Sequence, residues 1–225
     1  EGRLEKLDKD IMKQKIKDQA IKEKEVMIAW NEHLQTGRAL RELEFGSEEL
    51  RMVRNYQPLS AKPLLIALNL SEADIKTQQA IVDKVRSAID WKHVRVEPFF
   101  AKIEMELAQL DSEEKAMFTE EYGITESALS RMIRTAYQLL GLQSFFTVGE
   151  DECRAWTIKV GSTAQDAAGV IHTDFYNKFI RAEVTSYADF MKHGTFAKCK
   201  EAGCFRLEGK EYVVADGDIL HVRHG

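Results

Sequence analysis

The chain has 225 residues, 44% of them hydrophobic and 31% charged, and a net charge of −5. That balance is too apolar for a disordered chain and too polar for a membrane protein, and it argues against a strongly basic nucleic-acid binder while leaving a local patch open. No apolar run approaches the roughly 18 residues of a membrane span, and the N-terminal EGRLEKLDKD has no signal-peptide core. With three cysteines (Cys153, Cys199 and Cys204), these features predict a cytoplasmic chain with free thiols, no membrane association and more than one domain.

Residues 1–36 alternate acidic and basic side chains and contain no proline. Leu4, Leu7 and Ile11 follow a three-four spacing, and Ile16, Ala20, Met27, Trp30 and Leu34 resume it in a shifted phase. The shift predicts a helical hairpin turning near Lys15–Asp18, with one continuous coiled-coil strand as the alternative. A short helix is expected between Gly37 and Gly46, and another over Ser47–Asn55.

The texture then becomes α/β. Leu64–Asn69 (LLIALN) is a continuous apolar run after Pro63, the pattern of a buried parallel strand. A helix over Lys76–Ile89 and a second strand over Val94–Ala101 follow. Helices are expected over Ile103–Leu110, Ser112–Tyr122 and Thr125–Leu140, the last capped by Thr125. From Ser144 onward short β-rich pieces dominate: SFFTV, CRAWTIKV, FIRAEV, RLE, YVVA and ILHV. Two helical segments interrupt them, Thr163–Ala168 and one capped by Ser186 with Asp189 three residues on. This is a compact α+β module.

Chemistry is best sought at the end of the first buried strand, because open α/β sheets bind ligands beyond the carboxyl ends of their strands. Asn69, followed by Leu70, Ser71 and Glu72, offers an amide for a purine edge and a carboxylate to accept from a base N–H. An ordinary turn, with Ser71 capping the next helix, is the plainer reading of such a tetrapeptide. Phe100, Ala101 and Lys102 close the next strand, so their backbone N–H groups and the Lys102 stem could reach the same base. No G-x-x-x-x-G-K-[ST] and no G-x-G-x-x-G accompanies them. A site that reads the base without holding phosphates binds nucleotide weakly.

Other clusters are less specific. Cys199 and Cys204 with His193 lack a fourth zinc ligand, so free thiols are expected and no metal site. His172, His193, His221 and His224 adjoin no recognisable nucleophile motif, so no catalytic residue is assigned. Trp156 reads as core. Phe175, Tyr176 and Phe179, interleaved with Lys178 and Arg181, fit either a packed edge or a stacking surface for single-stranded RNA.

The stretches Arg154–Ile158, Ala167–Phe175, Phe179–Ala182 and Val214–Ile219 closely resemble the C-terminal TGS domain of the YchF family, Obg-related P-loop NTPases called Obg-like ATPases in eukaryotes. The resemblance continues through Lys62-Pro63, Asn69–Glu72, Ser127–Leu129 and Phe145–Thr147, and covers residues 40–225. It implies a layout: part of a helical arm over residues 1–36, the second half of a Ras-like nucleotide domain over 37–143, and a β-grasp-like TGS domain over 144–225. In that family the phosphate-binding loop, Mg²⁺ ligands and catalytic machinery precede the arm, so the chain resembles a C-terminal portion and is expected to be inactive alone. The matching GTPase motif is Asn-Lys-x-Asp, whose Asp accepts two hydrogen bonds from guanine. Here Leu70 and Glu72 replace Lys and Asp, which implies a preference for ATP, with Mg²⁺, over GTP. Asn69, Leu70, Glu72, Ala101 and Lys102 are the implied nucleotide contacts, and Phe100 departs from the small residue usual at its position. The resemblance also implies a ribosomal partner, through the large subunit, and RNA contact through the TGS domain. The competing readings are a non-catalytic ribosome- or RNA-binding module and, more remotely, a metal-dependent hydrolase.

Overall fold

The computed structural model describes residues 2–12, 17–89, 91–111, 126–149 and 151–225. They fall into two compact units, Glu1–Thr135 and Ala136–Gly225.

The first unit opens with two helices, α1 (Gly2–Met12) and α2 (Lys17–Gln35). Arg3 pairs with Glu23, and Lys24 with Asp8. In one straight helix residues 20 apart would lie about 30 Å apart, so these pairs require a hairpin. Leu7 and Ala20 are buried, as the apolar phase predicts, whereas Leu34 is exposed. The turn expected near Lys15–Asp18 lies partly outside the described residues, and α2 has already begun at Lys17. After a 3₁₀ turn at Leu40–Glu42 comes α3 (Ser47–Tyr56), whose Met52 packs with Trp30 and Leu40 into a small core. Glu23 also accepts from the Tyr56 hydroxyl, which ties α3 to the hairpin.

The α/β part is a β-α-β unit: β1 (Leu64–Asn69), α4 (Gln78–Ile89) and β2 (Val94–Phe99). β1 and β2 are parallel, in register from Leu64 opposite Val94 to Asn69 opposite Phe99. The second strand ends two residues earlier than expected. Phe100 leaves the extended conformation to cap α5 (Ala101–Leu107), and its carbonyl accepts from Glu104 N–H at 2.9 Å. α6 (Ala128–Leu139) is capped by Ser127, whose hydroxyl accepts from Ser130 N–H. The expected Thr125 cap and the helix over Ser112–Tyr122 lie outside the described residues.

β1 departs from expectation in burial. Its leucines and Ile66 are only half-buried, and Ala67 and Asn69 are exposed, because among the described residues β1 pairs with β2 alone. The two outer edges of this sheet differ in chemistry. Leu64 N–H donates to His93 and Leu70 N–H to Phe99, so the carbonyls of Val94, Val96 and Pro98 face away from β1. Each of the three accepts from a guanidinium: Arg95 at 3.2 Å, Arg86 at 3.3 Å and Arg131 at 3.1 Å. Pro98 has no N–H to offer there. The β2 edge is thereby closed to a further strand, while the other edge of β1, an apolar strand, is unpaired among the described residues.

The second unit is a five-stranded mixed sheet in the order β4-β3-β7-β5-β6. Its strands are β3 (Leu142–Val148), β4 (Cys153–Lys159), β5 (Phe179–Ser186), β6 (Arg206–Glu208) and β7 (Asp218–His224). β3 and β7 run parallel and the other pairs antiparallel, the β-grasp arrangement. α7 (Ala164–Ile171) is fixed by a reciprocal cap, Thr163 Oγ1 accepting from Asp166 N–H while Asp166 Oδ2 accepts from Thr163 N–H. Its Ala164 and Ala167 let it approach Phe145, Ile158, Ala182, Val184, Val214 and Leu220, which form the core. Trp156 is partly buried against this core and stacks on Phe145 at 6.5 Å, with the Arg154 guanidinium over its ring 4.0 Å from the centroid. α8 (Thr173–Asn177), α9 (Tyr187–His193, capped by Ser186) and α10 (Phe196–Glu201, capped by Thr195) complete the unit.

YVVA, read as a strand, is not one. Residues 212–215 form a loop with a single bridge, Thr163 to Val213, while Val214 plugs the core. Asp218 holds this loop: it is 2% exposed and accepts from the Tyr212 hydroxyl at 2.7 Å and from Ala215 N–H at 2.9 Å. Arg206 completes the cluster by donating to the Tyr212 oxygen at 2.8 Å. Burial, and then the bond to Asp218, pushes the Tyr212 phenol above its ordinary value of 10.0. A phenol raised on folding stabilises the fold fully below its unfolded value and loses that contribution as pH rises through the folded one. Stability of this unit should therefore fall at alkaline pH above about 10, and Tyr212→Phe should flatten that fall. Denaturation midpoints at pH 8 to 11 for both chains check it; parallel slopes would dismiss Tyr212 as the group responsible.

Candidate functional site

The parallel register sets the carboxyl ends of β1 and β2 side by side, and this brings the base-reading candidates together. Asn69 ends β1, and its side-chain oxygen accepts from the Ala101 backbone N–H, the first residue of α5, at 3.1 Å. The amide oxygen is thereby engaged, and the Asn69 NH₂ group remains a donor. Leu70 N–H donates to the Phe99 carbonyl at 2.8 Å, continuing the ladder one residue beyond the strand. The Leu70 side chain lies against Phe100, Ile103 and Leu107. Phe100 is thus a core residue beneath the loop, which gives its bulk a packing role.

Ser71 turns the chain into a 3₁₀ segment, Glu72–Asp74. Asp74 Oδ2 accepts from both the Ser71 backbone N–H at 3.1 Å and its hydroxyl at 2.6 Å, and these bonds, the hydroxyl first, hold the Asp74 carboxyl below its ordinary value. Ser71 thus stands at the N-cap position of this 3₁₀ turn, but its hydroxyl donates to Asp74 and caps no backbone N–H, and the helix that the plainer reading had it cap begins only at Gln78. The Ser71–Asp74 lock fixes the turn in which Glu72 sits. Glu72 pairs with the Lys102 ammonium at 2.7 Å, and Glu106, one turn on in α5, stands 3.7 Å from the same nitrogen. The bond to Glu72 and the charges of Glu72 and Glu106 raise the Lys102 pKa. Ala101 and Lys102, expected at a strand end, instead form the first turn of α5. Glu106 and Asp74 were absent from the sequence reading, although their spacings, four residues after Lys102 and three after Ser71, carry the signal.

The remaining candidates do not converge. Among the described residues no group of three or more His, Cys, Asp or Glu side chains is placed to hold a metal ion. His172 Nδ1 accepts from Asp174 N–H as the cap of α8. The Phe175–Arg181 cluster is divided: Phe175 stacks on His224 at 4.3 Å, Phe179 packs on the core, and Arg181 sits opposite Arg223 in the β5–β7 ladder. That geometry matches the packed edge better than a continuous stacking surface. No described helix is long and apolar enough to cross a membrane.

The second unit matches a family model, YchF-GTPase_C, described as a protein of unknown function (DUF933), over residues 142–225. Over its whole length the chain is similar to the "Ribosome-binding ATPase YchF" of Bacillus subtilis, with 44% identity over 99% of this chain and 61% of that protein. It is similar to the "Obg-like ATPase 1" of Caenorhabditis elegans at 36% identity, over 98% of this chain and 56% of that one. The solved YchF GTPase of Schizosaccharomyces pombe superposes with a TM-score of 0.79 and 30% identity, covering 99% of this chain and 60% of that one. The chain thus spans about three-fifths of the length of such relatives. With its β-α-β unit, its β-grasp sheet and a likeness running through both, the chain belongs to the YchF/Obg-like ATPase family and aligns with a C-terminal portion of its members.

Proposed function

We propose that this chain is the base-reading and docking portion of a ribosome-associated, cytoplasmic ATPase that prefers ATP to GTP. The observation that carries this reading is the constellation at the ends of β1 and β2: Asn69 bonded to Ala101 N–H, and Glu72 paired with Lys102. Asn69 is left with its NH₂ group, a donor suited to purine N7, which adenine and guanine share. Discrimination then falls to residue 72. Guanine presents two N–H donors on its Watson–Crick edge, and a short, free carboxylate would accept both. Glu72 is one methylene longer than Asp and is engaged by Lys102, so that recognition is lost and guanine is left with unsatisfied donors. Leu70 supplies apolar surface near the base, and Ala101 and Lys102 open the helix beside it.

The arm over residues 1–36 and the TGS domain over 144–225 are the docking surfaces in this reading, with the ribosomal large subunit as partner and RNA contact through the TGS domain. Phosphoryl transfer to water needs positioned phosphates and Mg²⁺. The described residues do not fit Mg²⁺, since no set of carboxylates converges, and the 225 residues contain no P-loop motif. Those parts would be supplied by further parallel strands on the edge of β1 that is unpaired among the described residues. On its own the chain should bind nucleotide weakly and hydrolyse none.

Titration with a fluorescent ATP analogue, displaced by unlabelled ATP or GTP, tests the reading. The expected result is weak saturable binding, displaced by ATP at a lower concentration than GTP. Asn69→Ala should weaken ATP and GTP alike by roughly tenfold, the worth of about one hydrogen bond. Equal displacement by both nucleotides, or an Asn69→Ala chain that binds as well as the parent, would count against it.

A further inference from the structure

The second unit brings two thiols together through backbone geometry alone. α10 runs to Glu201, and Gly203 then adopts φ +74, a conformation glycine reaches without strain. Cys204 N–H donates back to the Cys199 carbonyl at 3.0 Å. This is the six-to-one closure of a Schellman motif, which sets the third residue from the helix end against the second residue past the cap. That contact is ordinarily apolar; here both of its members are cysteines. Cys199 is buried, with its thiol 3.8 Å from the Asp189 carbonyl oxygen, and Cys204 is partly exposed, with its thiol 3.3 Å from the Cys199 carbonyl oxygen.

We propose that Cys199 and Cys204 form a reversible dithiol–disulfide pair, a modification site whose oxidant is a small-molecule disulfide of the glutathione type. Cys204 is the entry point because it is the more accessible of the two. Its thiolate attacks one sulfur of the oxidant, forming a mixed disulfide and expelling one thiolate, which takes up the proton Cys204 lost. Cys199, deprotonated in turn, attacks the Cys204 sulfur and expels the second thiolate. Two protein thiols and one small disulfide become one protein disulfide and two small thiols. Burial, and then the hydrogen bond with Cys199, pushes the Cys204 thiol up, so the first step should be slow at neutral pH and quicken as pH rises. The third thiol, Cys153, is exposed at the start of β4 and serves as an internal reference. The inference rests on local geometry and is independent of the nucleotide reading.

The test equilibrates the whole chain with oxidised and reduced glutathione at several protein concentrations, quenches it in acid, and maps the three cysteines by mass spectrometry. The expected result is Cys153 carrying glutathione, while the peptides bearing Cys199 and Cys204 are recovered joined and together two hydrogens lighter. Glutathione on Cys204 should be at least roughly tenfold less abundant than the joined form, because the neighbouring thiol resolves it. The joined fraction should not depend on protein concentration. In Cys199→Ala, Cys204 should stop at the stable glutathione adduct. Accumulation of that adduct in the parent chain would overturn the inference, as would free thiols at both positions under conditions that modify Cys153.

Discussion

Replacing Asp218 by Ala should cost the β-grasp unit about 2–4 kcal/mol, at about 1–3 kcal/mol for each of two donors, the Tyr212 hydroxyl and Ala215 N–H, that lose their acceptor. Asp218 sits at the start of β7, where three dependants converge on its carboxylate: the Tyr212 hydroxyl, Ala215 N–H and, at 3.7 Å, the Arg206 guanidinium. The Tyr212 hydroxyl and Ala215 N–H donate to it directly, whereas Arg206 also donates to the Tyr212 oxygen and to Glu208; together they hold the loop that inserts Val214 into the core. Asp218→Asn keeps the shape and one acceptor oxygen, and should cost less than half as much. Urea denaturation followed at the Trp156 indole proton reads the second unit directly, while Trp30 reports the first. A loss below about 1 kcal/mol for Asp218→Ala would mean that the apolar core alone fixes the loop.

The second large effect concerns nucleotide choice. Leu70→Lys with Glu72→Asp restores the guanine-reading pattern, and it shortens the carboxylate so that Lys102 no longer holds it in the same place. Two charge-assisted hydrogen bonds to guanine are each worth about 1.5–3 kcal/mol, and adenine would meet the freed carboxylate with a ring acceptor in place of a donor. The ratio of ATP to GTP affinity should move toward GTP by about two orders of magnitude. The comparison is best made in a longer family member that carries the phosphate-binding half, since tight binding makes the ratio measurable. An unchanged ratio would place selection on residues other than 70 and 72.

Much of this fold was legible in the sequence. The apolar run Leu64–Asn69 gave its strand to the residue, because Pro63 before it and the polar turn after it leave little choice of boundary. The Ser186 cap was equally plain, and the helix expected over Thr163–Ala168 forms as Ala164–Ile171 with Thr163 as its cap. YVVA misled because local β-propensity cannot distinguish a strand from a loop whose Val214 plugs the core; only the distant Asp218 and Arg206 decide that. α8 and α10 were missed because they are only five and six residues long, although Thr195 before α10 and Gly203 after it are the usual punctuation. Burial of β1 was overestimated because periodicity describes the strand's own composition and says nothing about which neighbours are present.

The candidate site divides along the same line. Asn69 and Glu72 stand out on one strand end by residue type. Their partners, Ala101 N–H and the Lys102 ammonium, lie about thirty positions away in sequence, and only the parallel register brings them there. The ion pair between Glu72 and Lys102, on which the proposed base discrimination depends, is therefore a property of the fold and has no local sequence signature.

The most direct test of the base-reading site is an amide NMR titration of this 225-residue chain with ATP and, separately, GTP at millimolar concentration, where weak binding is still visible. ATP should move the amides of residues 69–72 and 101–102 together along one saturation curve, with the rest of the chain undisturbed, and GTP should move them at least roughly fivefold less at equal concentration. Equal shifts from both nucleotides, or shifts confined to the β-grasp unit, would contradict a purine site at the ends of β1 and β2.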